Sequence, residues 1–88
     1  MTTHCHTFRA EAAIDLTRLL ALILPLDPEF LILGVQASKV GGLTVDCCTV
    51  LTRNNMLHRM NEVPDGHIMA QTLQTSPAQE TPKPKGAR

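Results

Sequence analysis

The stretch that most constrains this chain is Phe8 to Leu24, FRAEAAIDLTRLLALIL, its most apolar and most periodic segment. Glu11, Asp15 and Arg18 recur at helical spacing and share one stripe. Phe8, Ala12, Leu16, Leu19, Leu20 and Ile23 fill the opposite side, the pattern of an amphipathic helix. Thr7 is placed to cap its first turn with a hydroxyl acceptor. Glu11 suits the positive end of the helix dipole, and Arg18 lies nearer the negative end. Pro25 lacks an N–H and clashes with the preceding turn, so the helix is expected to stop by Leu24. The end formed by Leu19, Leu20, Leu22, Ile23 and Leu24 has no polar side. Protein must cover it all round, or it is an interface.

A membrane span needs about 20 continuous apolar residues. This run is interrupted by Arg18 and broken by Pro25, Asp27, Pro28 and Glu29. A secretory signal fits poorly, because Glu11 and Asp15 precede the densest apolar part and no small-x-small cleavage site follows Leu24. A soluble core helix is the expectation, with a membrane-surface role for the Leu19–Leu24 end as an alternative.

The chain has 88 residues, which bounds it to one small domain. It has two Phe and no Trp or Tyr, so Leu, Ile, Val and Met must fill the core. A small domain buries a smaller share of its surface, which makes self-association or a partner a natural source of further burial. Eight basic and eight acidic residues cancel. Without a basic face or stacking aromatics, nucleic-acid binding is not expected. Three cysteines, two of them adjacent, do not make a disulfide framework and fit a reducing cytoplasm.

In chain order, residues 1–6 read as a flexible start, 7–73 as the folded domain and 74–88 as a disordered tail. After the helix, Phe30 to Gln36 is short, apolar and partly β-branched, which favours a strand. The competing reading starts a second helix at Asp27-Pro28-Glu29 and closes it at Gly41. Leu43 to Thr52 is the clearest strand, with Val45, Cys47, Thr49 and Leu51 on one face and Asp46, Cys48 and Val50 on the other. The Gly41-Gly42 link makes it antiparallel to its predecessor. Met56 to Val63 reads either as a short helix capped by Asn54 or Asn55, or as a strand after an Asn54-Asn55 turn. Pro64-Asp65-Gly66 is the strongest turn signal, and His67 to Leu73 after it reads as a strand. Gln74 to Arg88 has Pro at positions 77, 82 and 84 and no large apolar residue, which suits a disordered tail.

The amino terminus is the one candidate for specific chemistry. If Met1 is removed, the free amine, two amide nitrogens and His4 at the third position can wrap a square-planar site for Cu(II) or Ni(II). Cys5 and His6 lie beside it and can add ligands, Zn included. Against this, no second ligand pair at structural spacing accompanies His4, Cys5 and His6. Cys47 and Cys48 point to opposite faces of a strand and cannot share one metal; they read as small half-buried residues. His58 and His67 read as surface residues. Met56, Met60 and Met69 read as core filler in an aromatic-poor chain. Ser38-Lys39 before the glycines lacks the spacing of a phosphate-binding loop.

Together these features predict an α+β fold: a long N-terminal helix packed on a small antiparallel sheet of three or four strands, then a disordered tail. The expected function is non-enzymatic: a small regulator, adaptor or inhibitor bound to a larger protein, or a homodimer. Leu19, Leu20, Leu22, Ile23 and Leu24 are the expected contact. No catalytic residue, cofactor or small-molecule substrate is expected. A metal-handling protein using His4, Cys5 and His6 is the alternative.

Overall fold

The computed structural model describes residues 3–76. Its elements are β1 (His4–Ala10), α1 (Ala13–Ile23), β2 (Leu31–Ala37), β3 (Leu43–Thr49), α2 (Arg53–Glu62), α3 (His67–Thr72) and β4 (Gln74–Thr75). The strands form one antiparallel sheet in the order β2-β3-β1-β4. The chain thus combines α and β content, and the expected sheet is present.

The long N-terminal helix is not. Phe8, Arg9 and Ala10 belong to β1, and the helix begins only at Ala13. The reason lies in a second period within the same residues. His6, Phe8 and Ala10 are buried while Cys5, Thr7 and Arg9 are half-buried, the alternation of a strand with one face on a core. Pairing along β3 from His4↔Thr49 to Ala10↔Leu43 completes the ladder. Thr7 is therefore not a cap: its hydroxyl donates to Asp46 Oδ1 at 2.7 Å across the strands. Ala12, which makes no side-chain cap, precedes the helix instead. Residues 4–6, expected as part of a flexible start, form the beginning of this central strand.

The helix ends at Ile23, two residues before Pro25. Asp27 then starts a turn, not a helix: its Oδ1 accepts from the Glu29 amide at 3.1 Å. β2 follows, with one irregularity between Ile32 and Gly34 that leaves Leu33 without an opposite residue on β3. The β2–β3 hairpin closes on Gly41 and Gly42, both at positive φ. A side chain at Gly42 would press on the Ala10 carbonyl, so this glycine also lets the turn lie against β1.

Thr52 caps α2 by accepting from the Asn55 amide at 3.3 Å, where Asn54 or Asn55 was the expected cap. Met56, Met60 and the following Val63 face inward. His67 to Thr72 is a short helix, in place of the expected strand. Met69 and Leu73 are buried while Gln71 between them is exposed; a strand would put all three on one face, and a helical turn separates them. Gly66 makes the reversal possible. A Cβ there would collide with the Met60 carbonyl and press on that of Val63, so the α2–α3 corner closes only on glycine.

The core is Phe8, Ala10, Leu19, Ile23, Val45, Cys47, Leu51, Met56, Met60, Val63, Met69 and Leu73. It joins the three helices to one face of β1 and β3. Among the described residues, no helix packs on the opposite face, which carries Cys5, Thr7, Arg9, Thr44, Asp46 and Cys48. The tail proper, residues 77–88, lies outside the described residues. Gln74 and Thr75, expected to belong to it, are the two residues of β4.

Candidate functional site

Three places carry the polar and sulfur chemistry of the molecule. The first surrounds His6. This ring is buried, with Nδ1 2.8 Å from Thr75 Oγ1 and Nε2 2.9 Å from the Leu51 carbonyl. A carbonyl only accepts, so Nε2 carries the proton and Nδ1 accepts from the Thr75 hydroxyl. Burial pushes the His6 pKa below its ordinary value of 6.5, partly opposed by the bond to Leu51 and reinforced by electrostatic repulsion from the His4 and Arg53 side chains. The ring is thus a neutral tie between β1, β4 and the end of β3.

The second place is Asp27, 6% exposed in the turn between α1 and β2. Its Oδ2 accepts from the Thr49 hydroxyl at 2.5 Å and from the Val50 amide at 3.3 Å. The Thr49 bond is the main cause of a carboxyl pKa below the usual range, with burial pulling the other way and the amides of Val50 and Glu29 adding to the shift. The carboxylate stitches the α1–β2 turn to the end of β3. Sequence reading placed Asp27 in a turn, with a helix start as the competing reading; its Asp-Pro context correctly marks a local amide acceptor, but Thr49 is 22 residues away and not readable from spacing. Beside it a cleft of about 220 Å³ is lined by Thr3, Asp27, Glu29, Leu31, Cys48, Thr49 and Val50.

The third is the sulfur pair on the open face. Cys5 and Cys48 stand opposite each other on β1 and β3, with Sγ atoms 2.9 Å apart and both side chains half-buried. The Cys48 thiol pKa is pushed up to about 11, first by its hydrogen bond to Cys5 and then by burial. Cys47 points the other way into the core, where burial and then the neighbouring Cys48 push its thiol up to about 12. The sequence separated Cys47 from Cys48 by face but had no means of finding Cys5 as the partner.

The residues expected to bind metal are divided by the strand. His4 and His6 share the helix-facing side with ring centroids 6.2 Å apart, and Cys5 faces away from them. Thr2, which would supply the free amine of a four-nitrogen site once Met1 is removed, lies outside the described residues. Among the described residues, no group of three or more His, Cys, Asp or Glu side chains is arranged to hold a metal ion.

The expected contact residues are also divided. Leu19 and Ile23 are fully buried in the core, Leu20 and Leu22 are half-buried, and Leu24 is 43% exposed. A larger exposed apolar group lies on β2: Leu31 at 55%, Leu33 at 58% and Val35 at 44%. β2 is an outer strand, hydrogen-bonded to β3 on one side only. Because the Ser76 amide donates to the Cys5 carbonyl, Cys5 turns its backbone toward β4 and away from β3. Strand alternation then turns Cys48 toward β2 and Cys47 and Val45 toward β1. Ile32 and Val35, opposite Cys47 and Val45, therefore aim their amides and carbonyls outward from the sheet edge. Sequence reading identified the strand and missed its exposure, since an uncharged apolar run ordinarily signals burial.

Among the described residues, no helix is long and apolar enough to cross a membrane. Comparison of the chain with models of known protein families, with curated proteins and with solved structures finds no match.

Proposed function

We propose that this protein is a non-enzymatic interaction module that associates by adding a strand to its β2 edge, with a second copy of the chain as the partner. The observation that supports this reading is the edge itself. β2 displays Leu31, Leu33 and Val35 to solvent and contains no Lys, Arg, Asp, Glu or Pro. Natural edges are ordinarily blunted by such residues, because a row of free backbone donors and acceptors templates another strand. Here the single bulge at Leu33 is the only such device in the strand. Strand addition satisfies the outward amides of Ile32 and Val35 and covers the exposed side chains in one step. An identical uncharged strand needs no complementary charge, and a formal net charge of zero gives copies no long-range repulsion. The expected contact at the helix end is thereby moved to β2, with Leu24 as the exposed remnant of the original reading.

Hydrogen exchange at rising protein concentration tests it. The Ile32 and Val35 amides are expected to exchange quickly in dilute protein and slowly in concentrated protein, while exchange in β1 is unchanged. Fast exchange at both positions across the whole range excludes pairing at this edge.

A further inference from the structure

We propose that Cys5 and Cys48 form a modification site, a cross-strand dithiol that hydrogen peroxide converts to an intramolecular disulfide. The placement carries the inference. The two residues are directly opposite on antiparallel β1 and β3. Cys5 spends its backbone carbonyl on Ser76, on the β4 side, so the pair occupies a non-hydrogen-bonded position. Such positions hold the Cα atoms at about 4.5 Å and bring the side chains closest, inside the range that a disulfide spans. The sulfurs already sit 2.9 Å apart, nearer than two unbonded sulfurs pack without a hydrogen bond. No backbone movement is needed to join them.

The surroundings select both the sulfurs and the oxidant. Cys47, adjacent in sequence to Cys48, is fully buried on the other face and has no sulfur partner. Cys48 lines the cleft that opens beside Asp27 and Glu29, which gives a small molecule access to the pair. Those two carboxylates disfavour an anionic oxidant such as glutathione disulfide and leave neutral peroxide unhindered.

The chemistry balances within the pair and one peroxide. The Cys5 sulfur, deprotonated, attacks one peroxide oxygen; a S–O bond forms, the O–O bond breaks, and the leaving hydroxide takes a proton to become water. Cys48 then attacks the Cys5 sulfenic acid. The S–S bond forms, the S–O bond breaks, and the second water leaves with the Cys48 proton. The thiols lose two electrons and two protons in all, and the peroxide is reduced to two waters. A thiol reductant reverses the modification. The link closes a span of 43 residues, from β1 through α1, β2 and the hairpin to β3.

The test treats the full chain with hydrogen peroxide, blocks the remaining thiols with an alkylating agent after unfolding, and maps the peptides by fragmentation between Cys47 and Cys48. The expected product has lost about 2 Da, carries one alkyl group on Cys47 and holds Met1–Arg9 linked to the Cys48 fragment. Its thermal midpoint is raised by roughly 10 °C and returns on reduction. Cys5→Ser and Cys48→Ser each abolish the link, and glutathione disulfide forms it more slowly than peroxide. A link through Cys47, a disulfide between two chains, or three alkylated thiols after peroxide treatment of folded wild-type protein overturns the assignment. Because the mapping is done on the wild-type chain, it stands even if a serine variant fails to fold.

Discussion

The two edges of the sheet are built in opposite ways. On the β1 side the edge is closed. β4 is only two residues long, and α3 covers what it leaves. Thr72, in the last turn of α3, accepts from the Arg9 amide at 2.8 Å, so a side chain stands where the next strand residue would be. Arg53 adds a bond from its guanidinium to the Leu73 carbonyl at 2.8 Å and fixes the chain as it enters β4. On the β2 side nothing comparable is present among the described residues. The strand is seven residues long, its outward amides lack a partner strand, and its side chains on both faces are largely exposed. The same chain that satisfies one edge with helix, hydroxyl and guanidinium leaves the other apolar and bare. The contrast is the physical basis for assigning association to β2.

Substitutions on the two sides should therefore separate folding from association. The largest stability effect is expected from Met69→Ala, which opens a cavity where α3 covers β1, at a cost of about 2–5 kcal/mol. Leu33→Ala on the open edge should stay within about 0.5 kcal/mol. Urea unfolding in dilute protein measures both; equal losses would mean that β2 is packed as firmly as β1.

A smaller effect is expected at the closed edge from Thr72→Val, which keeps the side-chain shape and removes the acceptor of the Arg9 N–H. An unsatisfied, partly buried amide costs about 1–3 kcal/mol. The same measurement should show a loss in this range and faster exchange at Arg9. An unchanged midpoint would show that water replaces Thr72 and that this edge is not closed by it.

The smallest effect comes from pH. His6 ties the closed edge to β4 and the β3 end, and its folded pKa lies below 6.5. In the window between the folded value and 6.5 the unfolded chain binds more protons than the folded one, so stability falls as the pH is lowered through it. Above that window this contribution is fully present. The slope for one proton does not exceed about 1.4 kcal/mol per pH unit. Urea midpoints taken from neutral to mildly acidic pH should decline, and His6→Gln should flatten the decline. A wild-type midpoint that rises on acidification would mean that the ring is charged in the folded protein.

What was legible in the sequence follows the same division between local and distant causes. The strand character of Leu43 to Thr49, the inward face of Val45, Cys47 and Thr49, the Gly41-Gly42 reversal and the stop before Pro25 are each set by neighbours within a few residues. Phe8 to Ala10 satisfies two periods at once: Phe8 with Ala12 and Leu16 in a helix, or His6, Phe8 and Ala10 in a strand. The decision belongs to β3, which begins at Leu43. His67 to Leu73 was misread because Pro64-Asp65-Gly66 resembles a hairpin turn, whereas Gly66 serves close packing against Met60 and Val63. The sites were less legible still. His6 was found for its metal-ligating chemistry and is a buried tie. Cys5 was grouped with its sequence neighbours and belongs with Cys48. The exposure of β2 depends on which strand ends the sheet, and no local pattern encodes that order.

Sedimentation velocity over a wide concentration range, comparing the wild-type chain with Val35→Pro, tests edge association most directly. Proline removes the outward N–H of Val35 and none of the bonds from β2 to β3, and it is tolerated at such edge positions. The expected result is a wild-type monomer that converts to dimer as concentration rises, and a variant of the same fold that remains monomeric throughout. A wild-type chain that stays monomeric at every concentration, or a proline variant that dimerises equally well, would contradict association through the β2 edge.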